Sequence, residues 1–275
     1  MRLSQRAFMC FIMLCALFLA ACGSATTTST STSTATPAPV TLNVFAAASL
    51  TGSFNAIAVK YQQAHPNVTI KYNFAGTQIL EQQIANGAPA DVFASADLAN
   101  MQKASAAGLV GSSQVFVKNR LTVIIPAGNP GNINSLQDLS RKGVKIDIEA
   151  PTVPAGKYSL QVLAKMALSP AYGPAYVSAV KANFVSLETD VKSVVTKVQL
   201  GEVDAGFVYV TDATAAGDKV KTIAIPDEFN VIAQYPIAVT KSSTHASDAQ
   251  AFMQYILAKD GQDVLQHYGF IVINP

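Results

Sequence analysis

Four short segments of this 275-residue chain combine small residues with hydroxyl groups where a ligand could be held. They are "FAAASL" around Ser49, "FAGTQ" around Thr77, "PTVPAGKYS" around Ala155 and "FVYVTDA" around Tyr209. Each follows an apolar run that reads as a β-strand, and at least the first three lead directly into a helical pattern. The start of a helix carries N–H groups without intrahelical partners and a partial positive charge. Alanine and glycine allow that backbone to approach a ligand closely, and the hydroxyls of Ser49, Thr77 and Tyr209 add further donors. Several such ends brought together would bind an anion without lysine or arginine. Singly, each has a plain structural reading: Ser49 and Thr77 as helix N-caps, "VPAG" as a tight turn, Tyr209 as a sheet aromatic. Their joint occurrence at strand C-termini favours binding, while spacing alone leaves both readings open.

The residues expected of an enzyme do not assemble. His65, His245 and His267 match no zinc or catalytic-triad spacing, and the nearest to Ser49 in sequence is about four helical turns away. A hydrolase using Ser49 would need a base there. "GTQIL" is not a phosphate-binding P-loop, and no G-x-S-x-G elbow occurs. Asp91 and Asp97 flank "VFASA" and suit helix capping better than a metal.

The elements that must position these segments alternate along the chain. "TLNVFA", "VTIKYNF", "ADVFASA", "RLTVIIP", "VKIDIE", "AGFVYV" and "QYPIAV" read as strands. Helical patterns lie between them: Leu50, Phe54, Ile57, Ala58 and Tyr61 share one face, as do Val191, Val194, Val195 and Val198, and Phe252, Met253, Ile256 and Leu257. Such alternation predicts an α/β protein with mainly parallel sheets, and the length suggests two of them. Open α/β sheets bind ligands beyond the carboxyl ends of their strands, which is where the four segments fall.

The first residues do not belong to that core. Arg2 and Arg6 precede "AFMCFIMLCALFLA", an apolar run of signal-peptide length, and "LAAC" then ends in Cys22. This resembles a bacterial lipobox, so residues 1–21 are expected to be a lipoprotein signal peptide and Cys22 the lipidated N-terminus, with several acyl chains holding the membrane. Residues 22–39, with their "TTTSTSTSTATPAP" run, form a Ser/Thr/Pro-rich tether. Cys10 and Cys15 leave with the signal, so neither disulfide nor thiol chemistry remains. Loss of Arg2 and Arg6 leaves seventeen basic residues against seventeen acids. A near-neutral chain lacks the electrostatic footprint of nucleic-acid binding.

Taken in order, "VFAAASLTGSF", "FAGTQILEQQIANGAPADVFASAD", "VPAGKYS", "GFVYVTDA", "YPIAV" and "YGF" resemble the molybdate-binding proteins of bacterial ABC importers, from about Val40 to Phe270. The resemblance implies a two-lobed periplasmic-binding-protein fold of type II, with two mainly parallel sheets joined by two crossover segments near Asn119–Arg120 and Val231. Residues 40–119 plus 232–275 would form the first lobe and residues 120–231 the second. It implies a monomeric extracytoplasmic solute receptor, without enzymatic activity or cofactor, that hands molybdate, and tungstate with it, to a permease subunit. Contacts would fall on Ser49, Thr77, the Ala155 N–H, the Val191 N–H and the Tyr209 hydroxyl. Thr77 stands where serine is more usual. A receptor for sulfate or phosphate is the alternative of the same kind. A fully deprotonated tetrahedral dianion needs only donors, and no carboxylate lies in the three clearest motifs, although Glu188 and Asp190 stand near Val191. Val153 precedes "PAG" where an acid would suggest carboxylate ligation of the metal.

Overall fold

The structure, a computed structural model, describes residues 38–273. The signal segment, Cys22 and the tether up to residue 37 lie outside the described residues. Strand β1 (Val40–Ala47) runs into a 3₁₀ turn, Ala48–Leu50, and then α1 (Thr51–Ala64). Next come β2 (Val68–Ala75), α2 (Thr77–Ala85), β3 (Val92–Ala94), α3 (Leu98–Ala106) and the long β4 (Gln114–Pro126). A second group follows: β5 (Ile146–Glu149), α4 (Pro154–Ala167), α5 (Gly173–Ala182), β6 (Phe184–Glu188), α6 (Val191–Gln199), β7 (Ala205–Tyr209), α7 (Val210–Ala216) and β8 (Val220–Ala224). The chain then returns through β9 (Ile232–Val239), α8 (Ala246–Leu257), α9 (Lys259–His267) and β10 (Ile271–Val272).

The strand order is β2-β1-β3-β9-β4-β7-β5-β6, with β8 and β10 also paired to β4. The parallel pairs are β1 with β2 and β3, and β5 with β6 and β7. Every antiparallel pair involves β4 or β9, and because these two strands pair so widely the sheet is mixed, where the sequence pattern predicts mainly parallel pairing. Strand β4 is therefore shared. Its first half, up to Arg120, pairs with β9 beside the first group of strands. Its second half, from Leu121, pairs with β7 and β8 beside the second group. The sequence pattern places a strand at Arg120–Pro126; the strand begins six residues earlier because "QVFVKN" continues the ladder.

Alternation along β1 explains why helices cover both faces. Leu42 and Val44 are buried with Phe54 and Ile57 of α1 and with Phe252 and Ile256 of α8. Phe45 points the other way, into a separate cluster with Leu80 and Ile84 of α2, Phe93, and Met101 of α3. A fully buried side chain of this size contributes about 1.5–3 kcal/mol. Helix α6 buries the four valines of its predicted face, Val191, Val194, Val195 and Val198. The C-terminal helical pattern divides in two at Ala258, which adopts an extended conformation (φ −78°, ψ 169°).

Where β8 and β9 part, one side chain keeps the ladder continuous. Thr122 pairs with Ala224 of β8, and Arg120 pairs with Ile232 of β9. Between them, Leu121 is served by Asn230: its N–H donates to Asn230 Oδ1 at 3.1 Å and its carbonyl accepts from Asn230 Nδ2 at 2.9 Å. The buried amide acts as a peptide group inserted into the sheet. Asn230→Ala leaves both Leu121 backbone groups without these partners. We expect a loss of about 2–4 kcal/mol in unfolding free energy, measured by urea denaturation.

Candidate functional site

Each of the four strand ends feeds a helix or helical turn at the inner end of its strand. Ser49 sits in the 3₁₀ turn after β1, Thr77 opens α2 after β2, Ala155 is the second residue of α4 after β5, and Tyr209 ends β7 before α7. Val191 is the first residue of α6, so its N–H has no intrahelical acceptor. All five are buried. The Ser49 turn packs against α6, and β7 packs against both α4 and α6, which brings the five into one region.

The plain N-cap readings of Ser49 and Thr77 do not hold. The N-cap of α1 is Leu50 and that of α2 is Gly76, neither with a side-chain cap bond. Thr77 Oγ1 instead accepts from Ala96 N–H at 3.1 Å, which leaves its own proton free to donate. Ser49 Oγ lies 3.0 Å from Tyr235 Oη. The Tyr235 ring meets that of Tyr209 edge to face at 5.8 Å between centroids. Asn119 Nδ2 donates to Thr211 Oγ1 at 2.8 Å and reaches toward Tyr235 Oη at 3.5 Å, so a polar chain runs through both crossing strands. Burial pushes both phenols far above their ordinary range, and they remain protonated donors. The Tyr209 hydroxyl is wholly buried beside the Tyr235 hydroxyl, and it makes no hydrogen bond of good geometry among the described residues. Buried polar groups are normally paired, so this one marks a place for an acceptor.

Glu188 and Asp190 were expected near the site, whereas Asp212 and Glu149 were not. Asp190 is the N-cap of α6, accepting from Ser193 N–H at 3.1 Å, and Glu188 is held by Ser186 and Lys197. Asp97 caps α3, as its position suggested, and Asp91 ties β1 to the loop after β9 through Asn43 N–H and the Ser243 hydroxyl. Asp212, fully buried on α7, pairs with Lys192 Nζ at 2.9 Å. No acid lies within the three clearest motifs, as expected, but Glu149 reaches the third of them from outside it. This residue ends β5, is buried, and accepts the Ala155 N–H at 2.6 Å and the Gly156 N–H at 3.2 Å. The alternation of "VKIDIE" gave no sign that its last residue would turn onto the helix six residues later. Tyr235 was likewise seen only as part of a motif.

The region closes tightly where the two groups of strands meet. Gln78 Nε2 donates to Thr189 O at 2.9 Å, linking α2 to the turn before α6. A Cβ added at Gly76 would stand 2.1 Å from that same Thr189 oxygen, so no other residue fits this approach. The arrangement offers buried hydroxyl and N–H donors and, among the described residues, no nucleophile paired with a base. Ser49 meets a phenol rather than a histidine, and His65 stacks on Tyr61 instead.

Burial, opposed by its two backbone hydrogen bonds, pushes the Glu149 carboxyl up to about 8 from an ordinary value of 4.5. Between those values the folded chain keeps a proton that the unfolded chain has lost, so stability declines as pH rises across that window. Glu149→Gln should flatten this decline. Urea midpoints compared at about pH 5 and about pH 8 measure it, and an unaltered decline in the variant would assign the proton elsewhere.

The model of the family "Bacterial extracellular solute-binding protein" matches residues 42–271. Over 228 residues the chain is 36% identical to the molybdate-binding protein ModA of Mycobacterium tuberculosis, covering 82% of this chain and 83% of that one. Two solved structures share the fold. The periplasmic molybdate-binding protein of Azotobacter vinelandii superposes with a TM-score of 0.72 at 23% identity, over 84% of this chain and 99% of that one. The sulfate-binding protein SubI of Mycobacterium tuberculosis superposes with a TM-score of 0.76 at 20% identity, over 86% and 88%. Both are two-lobed binding proteins, and the α/β architecture expected from the sequence is of that kind. This chain belongs to the bacterial extracellular solute-binding proteins, and it is a solute receptor rather than an enzyme.

Proposed function

We propose that this receptor binds molybdate, and tungstate with it, between two lobes and delivers it to the permease of an ABC transporter. The observation that carries the reading is the buried Tyr209 hydroxyl, which makes no well-formed hydrogen bond among the described residues and is set among other neutral donors. Ser49 and Thr77 supply hydroxyls from one side; Ala155 and Val191 supply helix N-terminal N–H groups from the other, beside Tyr209. The first lobe comprises residues 40–119 and 232–275 and the second residues 120–231, with the shared strand β4 and the start of β9 as the crossovers. No lysine or arginine is needed, since each charge-assisted hydrogen bond contributes about 1.5–3 kcal/mol. Sulfate carries the same charge in a smaller tetrahedron, so selection against it rests on the size of the donor cage. The ModA relative, at 36% identity, supports molybdate over other oxyanions. The receptor acts as a monomer, requires no cofactor, and is held outside the cytoplasm by lipid on Cys22.

Calorimetry on the full chain in detergent tests the ligand. Molybdate should bind with micromolar or tighter affinity and sulfate weakly; absence of molybdate binding at neutral pH would sink the proposal. Ser49→Ala and Tyr209→Phe should each weaken binding about ten- to a hundredfold while leaving the thermal midpoint near wild type. Unchanged affinity in both would mean that the ligand sits elsewhere. Cys22→Ser should move the protein from the membrane to the soluble fraction; retention in the membrane would speak against the lipid anchor.

A further inference from the structure

The N-terminus of α4 has very few N–H groups to give. Pro154, its first residue, has none, and Lys157 N–H closes back on Val153 O at 2.9 Å. That leaves Ala155 and Gly156, and both donate to Glu149 Oε2. The helix start is seated close against the acid's strand. A Cβ at Gly156 would lie 2.2 Å from the carbonyl oxygens of both Glu149 and Ala150, so the helix end is pressed onto the strand end. An oxyanion that uses the Ala155 N–H therefore arrives at a hydrogen already held by a buried carboxyl oxygen.

Two negative groups sharing one donor in a dry site repel strongly. A neutral acid resolves the conflict, because its O–H can turn from competitor into an additional donor to the oxyanion. Resting on the oxyanion reading above, we propose that the oxyanion is held together with a protonated Glu149, and that a receptor whose Glu149 is ionised takes one proton from solvent for each oxyanion it binds. The bound group is then a fully deprotonated oxyanion facing Glu–COOH, and the proton comes from water or buffer.

The surroundings favour the proton on this acid. Asp190 at the start of α6 and Asp212 on α7 both act on Glu149 with like charge. The charge of Asp212 is partly answered by Lys192, and that of Glu188, beside Glu149 on β6, by Lys197. Tyr209 at the end of β7 and Tyr158 within α4 are both held protonated by burial, and neither supplies positive charge. Burial itself pushes Glu149 up to about 8, so the coupling emerges above that pH and is silent below it.

Calorimetry of molybdate binding to the full chain, in buffers of different ionisation enthalpy from about pH 6.5 to about pH 9.5, counts the protons. The count should rise from near zero to near one per molybdate, and affinity should fall about tenfold per pH unit above the midpoint. Molybdate itself carries no proton in this range. In Glu149→Gln the count should stay near zero and affinity should no longer depend on pH. The wild-type count needs no variant and stands even if Glu149→Gln folds poorly. Tight binding with no proton uptake across the whole range would overturn this inference and leave the molybdate reading intact. Failure to bind molybdate at every pH would remove that reading and this inference with it. Uptake abolished by Asp190→Asn but not by Glu149→Gln would place the proton on Asp190 and refute the role given to Glu149.

Discussion

The structure depends on one strand shared by two groups of strands. Strand β4 is thirteen residues long, paired with β9 over its first half and with β7 and β8 over its second. A ladder whose partners change in mid-strand risks an unpaired rung in a buried place, which is costly. Asn230 fills that rung with its own amide, and Asn119, one residue before the change, ties the strand to Thr211 and Tyr235. Within the sheet, the two groups of strands are joined through this short length of backbone. The polar chain from Asn119 to Ser49 starts there and ends at a candidate donor.

The site follows from what such an arrangement presents. Strands β1, β2, β5 and β7 end near the same region, and each hands over to a helix or helical turn. Helix starts and hydroxyls are donors, so the region is rich in N–H and O–H groups, and among the described residues no cation is bonded to any of the five candidates. The acids around it are spoken for by a helix cap at Asp190, an ion pair at Asp212 and a pair of N–H groups at Glu149. A receptor of this design controls charge by keeping its own anions neutralised or capped. It does not need to supply a positive charge of its own.

What could be read from the sequence was what is local. "FAAASL", "FAGTQ", "PTVPAGKYS" and "FVYVTDA" each contain strand end, small residues and helix start within a few positions, so their burial and placement were foreseeable. The valine face of α6 was equally plain, because its period is set within one helix. The interactions that were missed join distant parts of the chain. Tyr235 lies 186 residues from Ser49, and Asn230 lies 109 residues from Leu121. No periodicity links such partners. Glu149 is nearer, six residues from Ala155, yet its strand reads as simple alternation, and its role appears only when β5 is seen to stop against the start of α4. An acid closing an apolar strand shortly before a Pro-Ala-Gly helix start is the signal that would have exposed it.

Gly76 sets a mechanical tolerance. Its missing side chain is what allows α2 to approach the Thr189 carbonyl, and a single carbon there would overlap it. The gauge of the gap between the two halves is thus defined by an omission, one methyl group wide. Most residues lining a site can drift by conservative exchange, because a slightly different side chain can repack. A position that works by absence has no neighbouring solution, since every alternative adds volume in the same place. The width of the opening is therefore less free to vary than the identity of the hydroxyls around it.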